Sequence, residues 1–399
     1  MSKRKENSLM PELRFPDFSQ NGEWSHMKLG EVLIKNSKKN KGLKYSLVQS
    51  VSNKYGFINQ EEYFENRRIA SKDTSNYYII KKGHFAYNPS RIDIGSLAYK
   101  YDNEISVISP LYVSFSSNND FILDTYLLNW FSSIEFISQM RDSVEGGVRN
   151  TLSYDNLTKM SITIPQLQEQ QKIASCLSTL YEVIISQNKK IDTLQEYKRG
   201  LMENLFPTEG ETLPKFRFSE FENDGEWVEN SVKDLCRMQA GKFVSASEIF
   251  ENTNNSLFPC YGGNGLRGYT KSFTHSGQHT LIGRQGALCG NVTLARNKFH
   301  ATEHAIVVKP EKGIDTVWLF YAMLHLNLNQ YATGQAQPGL SVENLEKVIV
   351  KKPKSETEQQ KIAASLSSLD CQIREEINRL EVLKDHKKGL LQQLFPKTN

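Results

Sequence analysis

Apolar residues recur at alternating steps of four and three in two stretches of the chain. The first runs through Ile173, Leu177, Leu180, Ile184, Ile191, Leu194, Leu201 and Leu205, and the second through Ile362, Leu366, Leu369, Ile373, Leu380, Leu383, Leu390 and Leu394. This is a heptad seam, and it predicts two helices of about 37 residues, each about 55 Å long at a rise of 1.5 Å per residue. The gaps are filled by polar residues at matching places: Gln187 and Lys198 in one copy, Glu376 and Lys387 in the other. A helix cannot bury such a stripe by itself. Polar seam residues cost stability but fix register and partner, so the coincident breaks predict that the two helices pack on each other.

Between these stretches the pattern changes. Tyr77-Tyr78-Ile79-Ile80, Leu111-Tyr112-Val113-Ser114-Phe115, Thr280-Leu281-Ile282 and Ala305-Ile306-Val307-Val308 are short β-branched or aromatic runs bounded by Gly, Asn and Pro, which predicts strands. Thr125 to Met140 and Val317 to Leu328 carry helical periodicity at equivalent depths. Each intervening region is therefore expected to be α+β, flanked by long helices.

The chain also matches itself. Pro11-Glu12-Leu13-Arg14-Phe15, closing on Gly22-Glu23-Trp24, returns 203 positions later as Pro214-Lys215-Phe216-Arg217-Phe218, closing on Gly225-Glu226-Trp227. Glu169-Gln170-Gln171-Lys172-Ile173-Ala174, closing on Leu205-Phe206-Pro207, returns 189 positions later as Glu358-Gln359-Gln360-Lys361-Ile362-Ala363, closing on Leu394-Phe395-Pro396. The offsets differ, so the regions between the matched blocks differ in length. They share little beyond a late Leu152-Ser153 with Asn156-Leu157, matched by Leu340-Ser341 with Asn344-Leu345. The period is too long for a solenoid and predicts a duplicated domain with an internal pseudo-twofold. The corresponding segments are residues 1–164 and 208–352 for the variable domains, the first with its N-terminal arm, and 165–207 and 353–399 for the repeated helices.

Composition narrows the function. With 399 residues, two to three domains are expected. Lys plus Arg number 49 against 45 Asp plus Glu, so an anionic partner must be met by local patches rather than by net charge. No run of about 18 apolar residues occurs, and no apolar core follows the basic first residues, so neither a transmembrane helix nor a secretory signal is expected, and the location implied is cytoplasmic. Cys176, Cys236, Cys260, Cys289 and Cys371 never approach CxxC spacing and read as reduced thiols.

Catalytic motifs are sparse. Gly241-Lys242-Phe243 lacks the upstream glycine and the hydroxyl of a phosphate-binding loop. Asn88-Pro89-Ser90-Arg91 lacks the second proline and the aromatic of an amino-methyltransferase motif. His300-Ala301-Thr302-Glu303-His304 has the HxxEH spacing of some zinc proteases. The β-rich run that follows it should keep these side chains off one helical face, so no metal site is expected. His275 and His279 flank a Ser276-Gly277 turn and read as surface residues.

What the variable regions do carry suits nucleic acid. Lys35, Lys38, Lys39, Lys41 and Lys44 follow one another without an acid among them, and Arg67, Arg68 and Lys72 come next, a composition fit for phosphates. A solvated lysine-rich loop would look the same. The second region holds Tyr261-Gly262-Gly263-Asn264-Gly265-Leu266-Arg267 and Gly283-Arg284-Gln285-Gly286, where glycine lets backbone approach a ligand and Asn, Gln and Arg can pair bidentately with base edges. Each region closes on a polar segment, one with Arg149 and Asn150 and the other with Gln335 and Gln337.

Taken together, these features resemble the DNA-specificity subunit of type I restriction-modification systems, over essentially the whole chain. The carriers are the duplicated Pro-x-x-Arg-Phe block ending in Gly-Glu-Trp, the duplicated Glu-Gln-Gln-Lys-Ile-Ala helix ending in Leu-Phe-Pro, and inserts holding Ala86-Tyr87-Asn88-Pro89-Ser90-Arg91 and Tyr261-Gly262-Gly263-Asn264-Gly265. The resemblance implies an α+β fold with two target-recognition domains separated by two long antiparallel helices that form a coiled-coil spacer. It implies a non-catalytic chain that reads a bipartite, asymmetric target on double-stranded DNA, one domain per half-site. Two modification (methyltransferase) and two restriction (translocase and nuclease) subunits would be its partners, with no membrane involved. S-adenosylmethionine, ATP and Mg would belong to those partners, with no cofactor held by this chain.

The candidate DNA contacts, selected by residue type and placement, are Lys38, Lys39, Lys41, Arg67, Arg68, Arg91, Arg149 and Asn150 in the first domain and Asn264, Arg267, Arg284, Gln285, Gln335 and Gln337 in the second. Two other functions fit parts of the pattern. A coiled-coil adaptor whose inserts bind proteins would use the same duplication, but its insert surfaces need not be basic. An autonomous methylating enzyme would need catalytic residues that the sequence does not display.

Overall fold

The computed structural model describes residues 10–53, 55–60, 73–143, 151–286, 288–334 and 338–396. The chain forms two compact units, Met1–Gln187 with Arg379–Asn399, and Asn188–Asn378. Both long helices of the sequence pattern are present, and the units divide each of them near its middle rather than at its ends.

The first unit is built from β1 (Ser25–Lys28), α1 (Leu29–Val32), β2 (Leu33–Lys35), β3 (Gln49–Ser52), β4 (Gly56–Asn59), β5 (Tyr78–Ile80), β6 (His84–Tyr87), β7 (Leu97–Tyr99), β8 (Ser106–Ile108), β9 (Val113–Ser117), α2 (Asp124–Trp130), α3 (Ile134–Ser143), α4 (Tyr154–Lys159) and β10 (Ser161–Ile164). The helix α5 (Leu167–Leu205) begins here and runs on into the second unit. The main sheet has the order β2-β9-β6-β7, all antiparallel, and its aromatic face packs Phe85, Phe115 and Phe131 against α2.

The second unit repeats this plan with β11 (Val228–Ser231), α6 (Val232–Leu235), β12 (Cys236–Ala240), β13 (Phe258–Gly262), β14 (Gly265–Thr270), β15 (His275–Ser276), β16 (His279–Gly283), β17 (Val292–Ala295), β18 (Lys298–Ala301), β19 (Ala305–Pro310), α7 (Thr316–His325), α8 (Val342–Glu346), β20 (Ile349–Lys352) and α9 (Glu356–Gln393). Its main sheet has the order β12-β19-β16-β17. The agreement extends further: β1 pairs β10 as β11 pairs β20, β5 pairs β8 as β15 pairs β18, and the β3–β4 hairpin has its counterpart in β13–β14. Two regions with little shared sequence thus hold one strand topology.

The duplicated motifs are the fastenings of this plan. In the first unit the Arg14 guanidinium donates two 2.8 Å hydrogen bonds to the Glu169 carboxylate, both side chains being at least nine-tenths buried. In the second, Arg217 makes the same fork with Glu358, also at 2.8 Å, and Trp227 Nε1 donates to the same carboxylate at 3.1 Å. The lysine three residues on lies over the phenylalanine beside each arginine, Lys172 over Phe15 and Lys361 over Phe218. The glutamine after each glutamate ties down the start of the unit's helix: Gln170 Oε1 accepts from Leu123 N, and Gln359 Oε1 accepts from Asp315 N, both at 2.9 Å. The late Leu-Ser pairs are helix caps, Ser153 Oγ accepting from Asn156 N and Ser341 Oγ from Asn344 N, with Leu157 and Leu345 buried beneath.

All sixteen seam residues are buried or half-buried. In the first unit Ile173, Ala174 and Leu177 share a core with Leu394 and Phe395. In the second, Lys190 meets Glu376 at 2.8 Å and Lys198 meets Asp370 at 2.6 Å, so numbering rises along α5 as it falls along α9 and the two cross antiparallel. Two of the four polar seam breaks, Lys198 and Glu376, are therefore paired groups.

Some elements differ from expectation. The helix expected over Thr125 to Met140 is broken at Phe131–Ser133, because Ser133 Oγ accepts from Phe136 N and caps a new helix. The strand expected from Leu111 begins at Val113, and the helix expected to reach Leu328 ends at His325, before Asn327 takes up a left-handed conformation at φ +48°. His275 and His279 are not free surface residues. Both are half-buried around Phe299, with the His275 ring stacked on it at 5.5 Å. His300 lies within β18, its Nε2 bonded to the Lys242 carbonyl, while His304 lies in the turn before β19, so the HxxEH residues share no helix. All five cysteines are free thiols. Among the described residues no helix is long and apolar enough to cross a membrane.

Candidate nucleic-acid interface

In the second unit the tip of the β13–β14 hairpin presses on the turn between β16 and β17. The contact needs glycine at position 283 and leaves little room at position 263. A Cβ on Gly283 would lie 1.9 Å from the Gly263 carbonyl oxygen, and one on Gly263 would lie 3.3 Å from that of Gln285. Gly265 turns the hairpin at φ +85°, a conformation glycine adopts without strain. Between tip and turn opens a groove of about 530 Å³ lined by Asn264, Leu266, Arg267, Gln285, Gly286 and His304. Three of the residues selected from the sequence, Asn264, Arg267 and Gln285, are brought together here, all exposed. An amide pair and a guanidinium on a glycine-lined floor can offer donors and acceptors to base edges.

Arg284 adjoins this groove but does not line it. Its backbone is committed, the N–H donating to the His304 carbonyl at 2.9 Å and the carbonyl accepting from Leu340 N at 2.8 Å. Gly286 N donates to the Pro338 carbonyl at 3.0 Å, so the segment that closes the domain is stitched to the turn. Gln335 and Gln337 themselves lie outside the described residues.

In the first unit Lys38, Lys39, Lys41 and Lys44 line a groove of about 750 Å³ with Asn40, Tyr45 and Asn76, and among the described residues no carboxylate lines it. The loop is held by buried Asn40, whose N–H donates to the Tyr77 carbonyl and whose side chain bonds both the N–H and the carbonyl of Tyr45. Leu43 turns the chain at φ +50°. Lys39 bonds Asn76 Oδ1 and lies 5.6 Å above the Tyr78 ring, while Lys44 lies 5.7 Å above Tyr45. Four ammonium groups with no facing acid among the described residues make an electropositive groove suited to phosphate oxygens. Nearby His84, in contact with Asn36, has its pKa lowered by burial and then by Lys81, which favours its neutral form.

Arg91 sits elsewhere, exposed on the turn between β6 and β7. That turn is the counterpart of the one bearing Gln285. Asn88 N donates to the Ser96 carbonyl as Gly283 N does to that of Asn291, and Leu152 N donates to the Pro89 carbonyl as Leu340 N does to that of Arg284. Arg67, Arg68, Arg149 and Asn150 lie outside the described residues. The sequence-based selection missed Lys44, Asn76, Leu266 and His304. Lys44 belongs to the acid-free lysine run and was findable, whereas only the fold brings Asn76 and His304 to their grooves.

Comparison with known proteins places this architecture. The profile of the type I restriction modification DNA specificity domain matches residues 21–196 and again 224–384. The specificity subunit of the type I restriction enzyme EcoprrI from Escherichia coli is 46% identical over 150 residues, which span 37% of each chain. The MjaVIII specificity subunit from Methanocaldococcus jannaschii is 26% identical over 318 residues, 72% of this chain and 73% of that one. Among solved structures, the S subunit of a type I restriction-modification system from M. genitalium superposes with a TM-score of 0.65 at 16% identity, covering 98% of this chain and 100% of that one. A chain from a type I R-M system whose complex assembly and conformational transition were studied gives a TM-score of 0.54 at 17% identity, covering 92% and 96%. Two profile matches on two units of one topology agree with the duplication read from the sequence. The chain belongs to the type I restriction-modification DNA specificity family, whose members are the non-catalytic specificity subunits of these systems.

Proposed function

We propose that this chain reads a bipartite, asymmetric target on double-stranded DNA, one unit per half-site, and directs modification and restriction subunits to it. The observation that carries the proposal is the equivalence of the two turns, held by the same backbone hydrogen bonds yet bearing different side chains: Pro89-Ser90-Arg91 in one unit and Arg284-Gln285-Gly286 in the other. A shared frame with unlike readers gives a split target whose halves differ. Internal pseudo-twofold symmetry and a coiled-coil spacer formed by α5 and α9 complete the reading. At 39 and 38 residues these helices are about 57 Å long, more than the roughly 34 Å of one DNA turn.

Two modification and two restriction subunits are the partners in this reading, and they supply S-adenosylmethionine, ATP and Mg chemistry while this chain holds no cofactor. Exposed apolar side chains on the long helices, Tyr181 and Ile185 in the first unit and Tyr197 and Ile377 in the second, offer surface for such partners. The assembly works in the cytoplasm, where the DNA is.

Of the candidate contacts, Lys38, Lys39 and Lys41 are assigned to phosphates, and Asn264, Arg267 and Gln285 to bases. Methylome sequencing of cells with and without the chain tests the reading. A split motif that loses methylation on deletion supports it, and an unchanged methylome contradicts it.

A further inference from the structure

The lysine groove of the first unit and the hairpin groove of the second are not equivalent places. The second unit's groove lies where the β13–β14 tip meets the β16–β17 turn. Its counterpart in the first unit is where the β3–β4 tip meets the β6–β7 turn, and the contact is made there too: Asn53 Nδ2 donates to the Ile94 carbonyl at 3.3 Å, and a Cβ on Gly95 would stand 3.8 Å from that of Asn53. Asn53 and Arg91 are both exposed, and Tyr55 beside them is 57% exposed. The lysine loop, by contrast, follows β2, and its counterpart in the second unit follows β12, where the only basic residue of the Gly241–Val244 stretch is Lys242.

Resting on the function proposed above, we infer that Asn53 and Arg91 are the specificity-determining residues of the first half-site, and that the lysine groove holds phosphate without reading sequence. The chemistry fits the division. Asn pairs bidentately with adenine and Arg with guanine in the major groove, whereas an ammonium is a point charge without the planar fork that bidentate recognition uses. Arg91 follows the Pro89 carbonyl bonded by Leu152 N, and its own carbonyl accepts from Ser96 N at 3.1 Å, so its backbone is fixed as a reader's should be. The second unit then carries the same two kinds of reader on the same two elements, with amides at tip and turn and Arg267 on the hairpin strand.

The experiment is selection from duplex libraries randomised in both half-sites, using the full chain assembled with its modification subunits. Asn264→Ala identifies the second half by the positions it relaxes. Arg91→Ala and Asn53→Ala should relax one or two positions in the other half by about 5- to 150-fold and leave the second half unchanged. Lys41→Ala should weaken all sequences alike and flatten the salt dependence by about one unit of slope. Arg91→Lys, which keeps the charge, should lose base preference as Arg91→Ala does, and equal melting temperatures for the variants exclude misfolding as the cause. Relaxed base preference in Lys41→Ala, or unaltered preference in both Arg91 and Asn53 variants, overturns the assignment. Absence of any split preference in the wild-type complex would instead overturn the function on which it rests.

Discussion

At matching positions the two units fasten the long helices in different ways. In the second, Lys198 meets Asp370 at 2.6 Å, and Tyr321 from α7 donates a 2.5 Å hydrogen bond to the same carboxylate, with its ring 5.3 Å below the lysine. In the first, Lys387, the residue matching Lys198, lies 4.5 Å over the ring of Tyr181, the residue matching Asp370. One crossing is a three-part polar network and the other a cation–π contact. Burial accordingly lowers the Lys387 pKa, while burial and then the bond to Asp370 raise that of Tyr321. The Arg14–Glu169 and Arg217–Glu358 forks, in contrast, are alike in both distance and burial. The frame thus fixes the geometry of the fork and tolerates exchange of chemistry at the crossing, because the crossing needs only a partner for one lysine, whereas the fork satisfies a buried carboxylate.

The largest effect should come from the forks. Arg14→Ala strands the buried Glu169 and should destabilise its unit by about 3–5 kcal/mol, whereas Arg217→Ala leaves Glu358 the Trp227 Nε1 bond and should cost less. Urea unfolding followed in each unit would show this, and a larger loss from Arg217→Ala than from Arg14→Ala would contradict it. The crossings should separate. Asp370→Ala removes two charge-assisted or short hydrogen bonds and should cost about 1.5–3 kcal/mol, whereas Tyr181→Leu forfeits a cation–π contact of about 0.5–1 kcal/mol. Similar costs at both would mean that the network adds nothing to the lysine contact.

The smallest difference is in pH response. Burial lowers the pKa values of His84 in the first unit and of His325 and His275 in the second. Their folded pKa values lie below about 6.5, so the unfolded chain takes up protons first, and stability present above that pH is lost as it falls. Hydrogen exchange corrected for intrinsic rates should show protection dropping between pH 7.5 and 5.5, more in the second unit. Rising protection would reverse the sign.

The frame was legible in the sequence because its determinants are local or repeated: the seam at steps of four and three, and the Arg, Glu, Gln and Ser residues of the duplicated blocks. The sheets were not, since strands of three to six residues such as β5 and β14 owe their order to partners far along the chain. The second unit's groove was half legible, because Gly263-Asn264-Gly265 announces a turn but nothing announces that Gln285 faces it. In the first unit composition drew attention to lysines, while Asn53, at the counterpart of the hairpin groove, has no compositional signal and emerges only from the matched topology.

Two unlike readers on like frames should address one split site. Affinity of the assembled complex for duplexes carrying both half-sites, either alone, or both with one to three base pairs added between them tests it most directly. Tight binding is expected only to the intact pair at its native spacing, with the insertions costing affinity although both halves remain. Equal affinity for a single half-site, or indifference to the spacing, would contradict it.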